Sequence, residues 1–204
     1  GARARPLSQA WCRRAVEIVE RTGTPPDQAH ILARVAIPHL GACRWDEAES
    51  AIRRAWRTAE SVMYMRIVGE CHALAGIEAQ FRGEFRTALG LYRDLHRLCV
   101  VVGDRQITCW SLMGQAHALV RLGEHREAIE LSERALAGLD QETMRSETVL
   151  GLGMLALARL QAGEATGPYA AADRSLAYLR GSVPVIYYTQ QPVAATAEVF
   201  LALL

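Results

Sequence analysis

The 204 residues contain no lysine and no asparagine. All 23 basic residues are arginine, the pattern expected of codon choice in a GC-rich genome. Charge of one sign is also lacking, since 23 basic against 22 acidic side chains leave a net charge of +1. That near-neutrality excludes the basic footprint of a nucleic-acid or acidic-membrane binder. Long apolar runs are missing too, because Arg, Glu or Asp interrupts most of them. The most apolar stretch, "PVAATAEVFLALL", is short and carries Glu198. The five cysteines, at 12, 43, 71, 99 and 109, form no CxxC pair. An odd, scattered set with no signal peptide predicts reduced thiols and a cytoplasmic location. No segment alternates apolar and polar residues as a half-buried strand would.

What is present is repetition. Three stretches, "CRWDEAESAIRRAWRTA" from Cys43, "GEFRTALGLYRDLHRL" from Gly83 and "GEHREAIELSERALAGL" from Gly123, follow one another at steps of 40. Cys43, Gly83, Gly123 and Gly163 share a slot; Trp45, Phe85 and His125 stand two on; Ala48, Ala88 and Ala128 stand five on, with Pro168 in the fourth copy. Ala55, Leu95, Ala135 and Ser175 form a further slot, as do Ala36, Gly76, Ala116 and Ala156 upstream. Within a copy, apolar residues recur three and four apart, as in Ala128, Ile129, Leu131 and Ala135, which is a helix period. The Gly slot falls between two such runs, where a helix ends in a left-handed residue. Small residues at the Ala slots let helices approach closely, and bulky slots fill the space between them. Acidic residues cluster where the second helix of each copy begins, at its positive end.

Each copy therefore reads as a helix–turn–helix hairpin. One hairpin cannot bury its apolar face alone, so hairpins must stack. The expected fold class is all-α, an α-solenoid of about ten helices, at roughly 7–21, 27–41, 45–61, 64–82, 84–102, 105–122, 124–139, 143–162, 168–180 and a last one from 185 or 190 to 204. As domains this is one array: a half repeat at 1–26, repeats at about 27–64, 65–104, 105–144 and 145–184, and a half repeat at 185–204. With no initiator Met and an apolar end at Leu204, it is expected to be a fragment of a longer protein. Asp27 is expected to cap the second helix and Pro38 to kink or shorten it. Gly167-Pro168 should delay the ninth helix. In the last helix, either Pro192 bends it, or Thr189 caps it and Pro192 sits in the first turn.

The run Gly76, Gly83, Phe85, Ala88, Tyr92 and Leu95 resembles the tetratricopeptide repeat, across essentially the whole chain. The 40-residue spacing resembles the longer-helix variant of bacterial activators of the maltose-regulator kind. It is also similar to regions that follow the ATPase module of bacterial adenylate/guanylate-cyclase fusion proteins. The segments "GLGMLALARLQAGE" and "YYTQQPVAATAEVFLALL" carry the latter likeness. The resemblance implies a right-handed superhelix acting as a non-enzymatic scaffold or regulatory module of a multidomain signalling protein. It implies partners that are proteins or peptides, or flanking domains of the same polypeptide. No ATP-binding motif or cyclase residue lies in the chain.

In tetratricopeptide arrays the first helix of each hairpin lines the concave face, and the 40-residue register carries those slots over. They fall on His30, Ile37 and Leu40; on Glu70, Ala73, Ile77, Gln80 and Phe81; on Trp110, Met113, His117, Val120 and Arg121; and on Leu150, Gly153, Leu157, Leu160 and Gln161. The resemblance thus gives Ile77, Gln80, Phe81, Trp110, Met113, His117, Val120, Arg121, Leu157 and Leu160 as the partner-binding groove. This wall is apolar and aromatic, suited to an apolar helix or peptide, and it lacks a cationic clamp. The competing expectation is a tight superhelix whose wall packs on itself. Two further roles stay open: a small-ligand sensor closing on a metabolite, and self-association into a homodimer.

No reactive constellation stands out, and no enzyme activity, cofactor or metal is expected. Glu70, Cys71 and His72 are neighbours on a helix and diverge by about 100° each, so they do not converge on a metal. His72 fills a bulky core slot; Cys109 and His117 are two turns apart, too far for a nucleophile pair except by accident. His96 and His125 read as surface or turn residues. Gly151 and Gly153 lack the Lys-Ser/Thr that completes a phosphate loop. "RRAWR" at 53–57 reads as a solvated face. Tyr187-Tyr188 is either a docking pair or the start of the last helix.

Overall fold

The structure, a computed structural model, describes residues 4–180 and 190–203. Ten helices and no strand occur among the described residues. They are α1 (Ala4–Thr22), α2 (Pro25–Gly41), α3 (Trp45–Ser61), α4 (Met65–Phe81), α5 (Phe85–Val102), α6 (Arg105–Leu122), α7 (His125–Gly138), α8 (Arg145–Gln161), α9 (Gly167–Leu179) and α10 (Gln190–Ala202). The fold class is all-α, an α-solenoid of stacked helical hairpins. α2, α4, α6 and α8 begin at 25, 65, 105 and 145, and α3, α5 and α7 at 45, 85 and 125. The helix starts therefore keep the spacing of the sequence slots. α9 falls late, at Gly167, with Pro168 in its first turn.

One local expectation is corrected, and one of the two alternatives for Pro38 falls. Thr24, not Asp27, precedes α2 as its N-cap; Pro25 and Pro26 occupy the first turn, and Asp27 Oδ2 accepts from the Thr24 backbone N–H at 2.9 Å and its hydroxyl at 2.6 Å. Prolines have no N–H to lose there, so they belong inside the helix and the cap moves ahead of them. Pro38 does not shorten α2, which runs on to Gly41. The N–H it lacks would have met the carbonyl of Arg34 one turn back, so α2 forgoes that one bond and continues. Pro192 lies in the first turn of α10, while Thr189, Tyr187 and Tyr188 lie outside the described residues.

The chain divides into two compact units, Gly1–Glu78 and Ala79–Leu204, with the boundary inside α4. In the first unit α2 packs on α1 and α3. Ala29, Ala36, Ala48 and Ala55 are fully buried, as small residues at close helix crossings must be. The Trp56 and His72 rings meet at a tilt of 52° with centroids 4.1 Å apart, so the half-buried His72 takes the bulky role its slot predicts.

In the second unit each helix from α5 to α9 packs on the next. α6 also packs on α8, and α8 on α10, which makes a row of first-position helices. α5 and α7 bury one face. α6 is buried at every position from Ser111 to Val120, and α8 from Gly151 to Ala158. A helix buried on all sides needs apolar or small residues all round, which α8 supplies throughout this stretch and α6 supplies except at Gln115 and His117.

The turn slot shows its chemistry in the backbone. Gly83, Gly123 and Gly163 take φ of 78°, 86° and 78°, and Cys43 in the same slot is forced to 55°. A Cβ is strained there. Cys43→Gly should therefore stabilise the chain by about 0.5–1 kcal/mol, read as a higher urea midpoint. An unchanged or lower midpoint would mean the exposed Cys43 side chain contributes more than its strain costs.

Candidate functional site

Reactive groups come first. Burial and the neighbouring Glu70 push the Cys71 thiol up to about 12, and burial raises Cys109 as well. Neither is a ready nucleophile, because the thiolate is the reactive form. Cys109 Sγ lies 3.6 Å from the Ala135 carbonyl oxygen on α7, whereas His117 stands edge-on to Phe85 of α5 at 6.2 Å, so the two point to different neighbours. Glu70 pairs with Arg34 and with Arg66, whereas His72 meets the Trp56 ring. Among the described residues, no group of three or more His, Cys, Asp or Glu is placed to hold a metal ion. No described helix is long and apolar enough to cross a membrane.

The residues assigned to the groove divide by burial. Met113 and Leu157 are fully buried, His117 and Val120 are 3% exposed and Gln80 is 5% exposed. Phe81, Trp110 and Leu160 are half-buried, Arg121 is exposed, and Ile77, in the first unit, is half-buried. The glycines explain the tightness. A Cβ on Gly151 would stand 2.8 Å from Leu136 Cδ2 and 3.1 Å from Met113 Cε, so Met113 fills the seam between α6 and α8. A Cβ on Gly153 would stand 2.6 Å from the Pro192 carbonyl oxygen, so α10 lies against α8 there. Gly151 and Gly153 are thus close-approach positions within a helix.

Gln80 belongs to a buried polar knot. Its Nε2 donates to the Gly114 carbonyl at 3.1 Å, and the Tyr92 hydroxyl donates to its Oε1 at 3.4 Å. Tyr92 lies over Gly114, where an added Cβ would meet the ring at 2.3 Å. Burial holds the His117 pKa down at about 4, with Arg121 adding to the shift, so the ring is neutral at pH 7.

Trp110 is half-buried on α6. Its indole N–H donates to Glu147 Oε1 at 3.3 Å, and Gln106 Nε2 donates to the same oxygen at 3.4 Å. Sequence reasoning missed Glu147 and Gln106. The signal was there, because Glu147 stands in the slot that holds Ile67 and Ile107 in earlier copies. Also missed was a cleft of about 630 Å3 in the first unit, lined by α1, α2 and α3 and including Cys12, Arg13, His39, Arg44 and Asp46. It needs three helices to define it and leaves no mark on any one.

Solved structures give the frame. The chain superposes on an aspartyl phosphate phosphatase F from Bacillus subtilis with a TM-score of 0.73 and 12% identity, over 95% of this chain and 54% of that one. It superposes on a Rap protein complexed with Competence and Sporulation Factor with a TM-score of 0.72 and 15% identity, over 92% and 56%. The fold is that of a helical repeat protein. BtubC (BKLC) from P. vanneervenii matches with a TM-score of 0.70 and 11% identity, over 99% of this chain and 91% of that one. Identities this low establish the shared fold alone, and the chain spans about half the length of the first two. No family model and no curated protein matches the sequence.

Proposed function

We propose that the chain is a non-catalytic peptide- or protein-binding array, a tetratricopeptide type with the long 40-residue repeat, serving as a regulatory part of a bacterial multidomain signalling protein in the cytoplasm. The observation that carries this reading is the likeness to the Rap protein solved with Competence and Sporulation Factor, over 92% of this chain. That neighbour uses the fold while holding a factor. The helix starts spaced by 40 support the repeat assignment. The binding surface within the second unit is Phe81, Trp110, Arg121 and Leu160, which reach solvent. Gln80, Met113, His117, Val120 and Leu157 form the packed layer behind them. By the same register, Ile77 is the corresponding position of the first unit.

The test is a screen of short peptides by thermal shift, with affinities then measured for wild type and Trp110→Ala. Trp110→Ala should weaken a bound peptide at least roughly tenfold, as aromatic anchors do, with little change in unfolding midpoint. Equal loss of stability would make Trp110 a core residue and remove it from the surface. Midpoints raised by sugars or nucleotides and by no peptide would favour the small-ligand sensor, since a ligand that prefers the native state stabilises it. A concentration-dependent dimer in light scattering would favour self-association.

A further inference from the structure

One slot changes character along the array. Ile67 and Ile107 are each 1% exposed, and forty residues on stands Glu147, 8% exposed. A carboxylate thus occupies a position that two earlier copies give to a branched apolar side chain. It lies in the first turn of α8, whose positive end offsets part of the charge. Its hydrogen bonds come from neutral donors, Trp110 Nε1 and Gln106 Nε2, and both reach Oε1. No arginine or histidine among the described residues forms an ion pair with it.

The comparison inside the chain is Glu70, which stands in the Trp110 slot one copy earlier. It is as deeply buried, 6% exposed, and lies between Arg34 and Arg66. Burying a carboxylate without a cation is costly. At Glu70 the protein supplies the cations. At Glu147 it supplies a partly exposed indole and an amide instead, and an indole attracts cations to its face. Arg121 is eleven residues further along α6, about 16 Å at the helical rise, too far to serve.

We propose that Glu147, Trp110 and Gln106 form a receiving site for a cationic side chain, the guanidinium or ammonium of a basic residue in a bound peptide. The cation completes the ion pair with Glu147 and lies against the Trp110 indole, while Gln106 holds the carboxylate in place. This rests on the peptide-binding reading above and adds a specificity to it: bound peptides carry Arg or Lys at the position that meets α6 and α8.

The test uses N-acetyl-arginine amide and its neutral isostere N-acetyl-citrulline amide as probes of the full chain. The reporter is the Trp110 indole N–H resonance, assigned with Trp110→Phe. The arginine compound should shift it saturably and the citrulline compound should not. Glu147→Gln, close in shape, should weaken the response at least tenfold, and Glu147→Asp should retain part of it. In the peptide screen, binders should be enriched in basic residues, and that enrichment should vanish in Glu147→Gln. Equal shifts with citrulline, or an unchanged response in Glu147→Gln, overturn the proposal. Peptides that bind without basic enrichment and leave Trp110 unmoved overturn it while the peptide-binding reading stands. An arginine response lost in Glu147→Gln, with no peptide bound anywhere, supports the cation site and sinks the peptide reading.

Discussion

Gly114→Met should cost the chain about 3 kcal/mol or more of stability, and Tyr92→Ser in the same molecule should restore most of it. The cost follows from geometry. A Cβ at 114 would stand 2.3 Å from Tyr92 Cε1 and 2.4 Å from Cδ1 and Cζ. Tyr92 cannot swing away cheaply. It is 3% exposed, its hydroxyl donates to Gln80, and its carbonyl accepts from Gln115. The rescue follows from the register. One copy later the same two slots hold Ser132 and Met154, both fully buried, and one copy earlier they hold Ile52 and Leu74, 4% and 6% exposed. Where one slot grows, the other shrinks. The double variant copies the Ser132–Met154 solution, so a coupling of about 2 kcal/mol is expected between the two sites. Urea unfolding followed by circular dichroism measures it. A double variant no more stable than Gly114→Met alone would show that the copies are not equivalent in packing.

The second large effect is on pH. Lowering the pH from 7 to 5 should cost about 2 kcal/mol through His117, and continuing to about pH 4 should bring the total to about 3 kcal/mol. His117 holds a pKa of about 4 in the folded chain against 6.5 unfolded. As pH falls, the unfolded chain takes up the proton first. The stabilisation is therefore complete above 6.5 and is lost as pH falls towards 4. Desolvation is the main cause, since the ring is packed against Phe85 between α5 and α6, and the Arg121 charge adds to it. Burial lowers His96 as well, which adds to the loss with the same sign. The control is His117→Leu, because Leu157 fills that slot in the next copy and is fully buried. Its urea midpoint should vary much less between pH 7 and pH 5. A wild-type midpoint that does not move over this range would mean His117 protonates in the folded chain without penalty.

Much of this fold is readable from the chain alone. The bounds of α3 and α6 follow from slot spacing and apolar period, because a helix between two left-handed turn residues has little freedom in where it starts and stops. α2 was harder to read. "TPPD" offers both Thr24 and Asp27 as caps, and what decides is that two prolines lack N–H groups and so fit the first turn. The exposure of the residues assigned to the groove cannot be read from the chain. Register says that Trp110 and Met113 share a helix face. It does not say that α8 comes close enough, through Gly151, to enclose Met113 while Trp110 stays half-open.

The repeating slots determine an all-helical stack: the 40-residue period, the turn glycines and the alternation of small and bulky positions are local or near-neighbour properties, each enforced by backbone sterics or by the contact of one helix with the next. Tertiary structure decided what the stack encloses and what it offers. The distance between α6 and α8, the approach of α10 to Gly153, the neutral His117 and the carboxylate of Glu147 set among neutral donors all depend on three or more helices meeting at once. Burial and charge compensation are sums over everything that surrounds a group, and a sequence records only part of those surroundings.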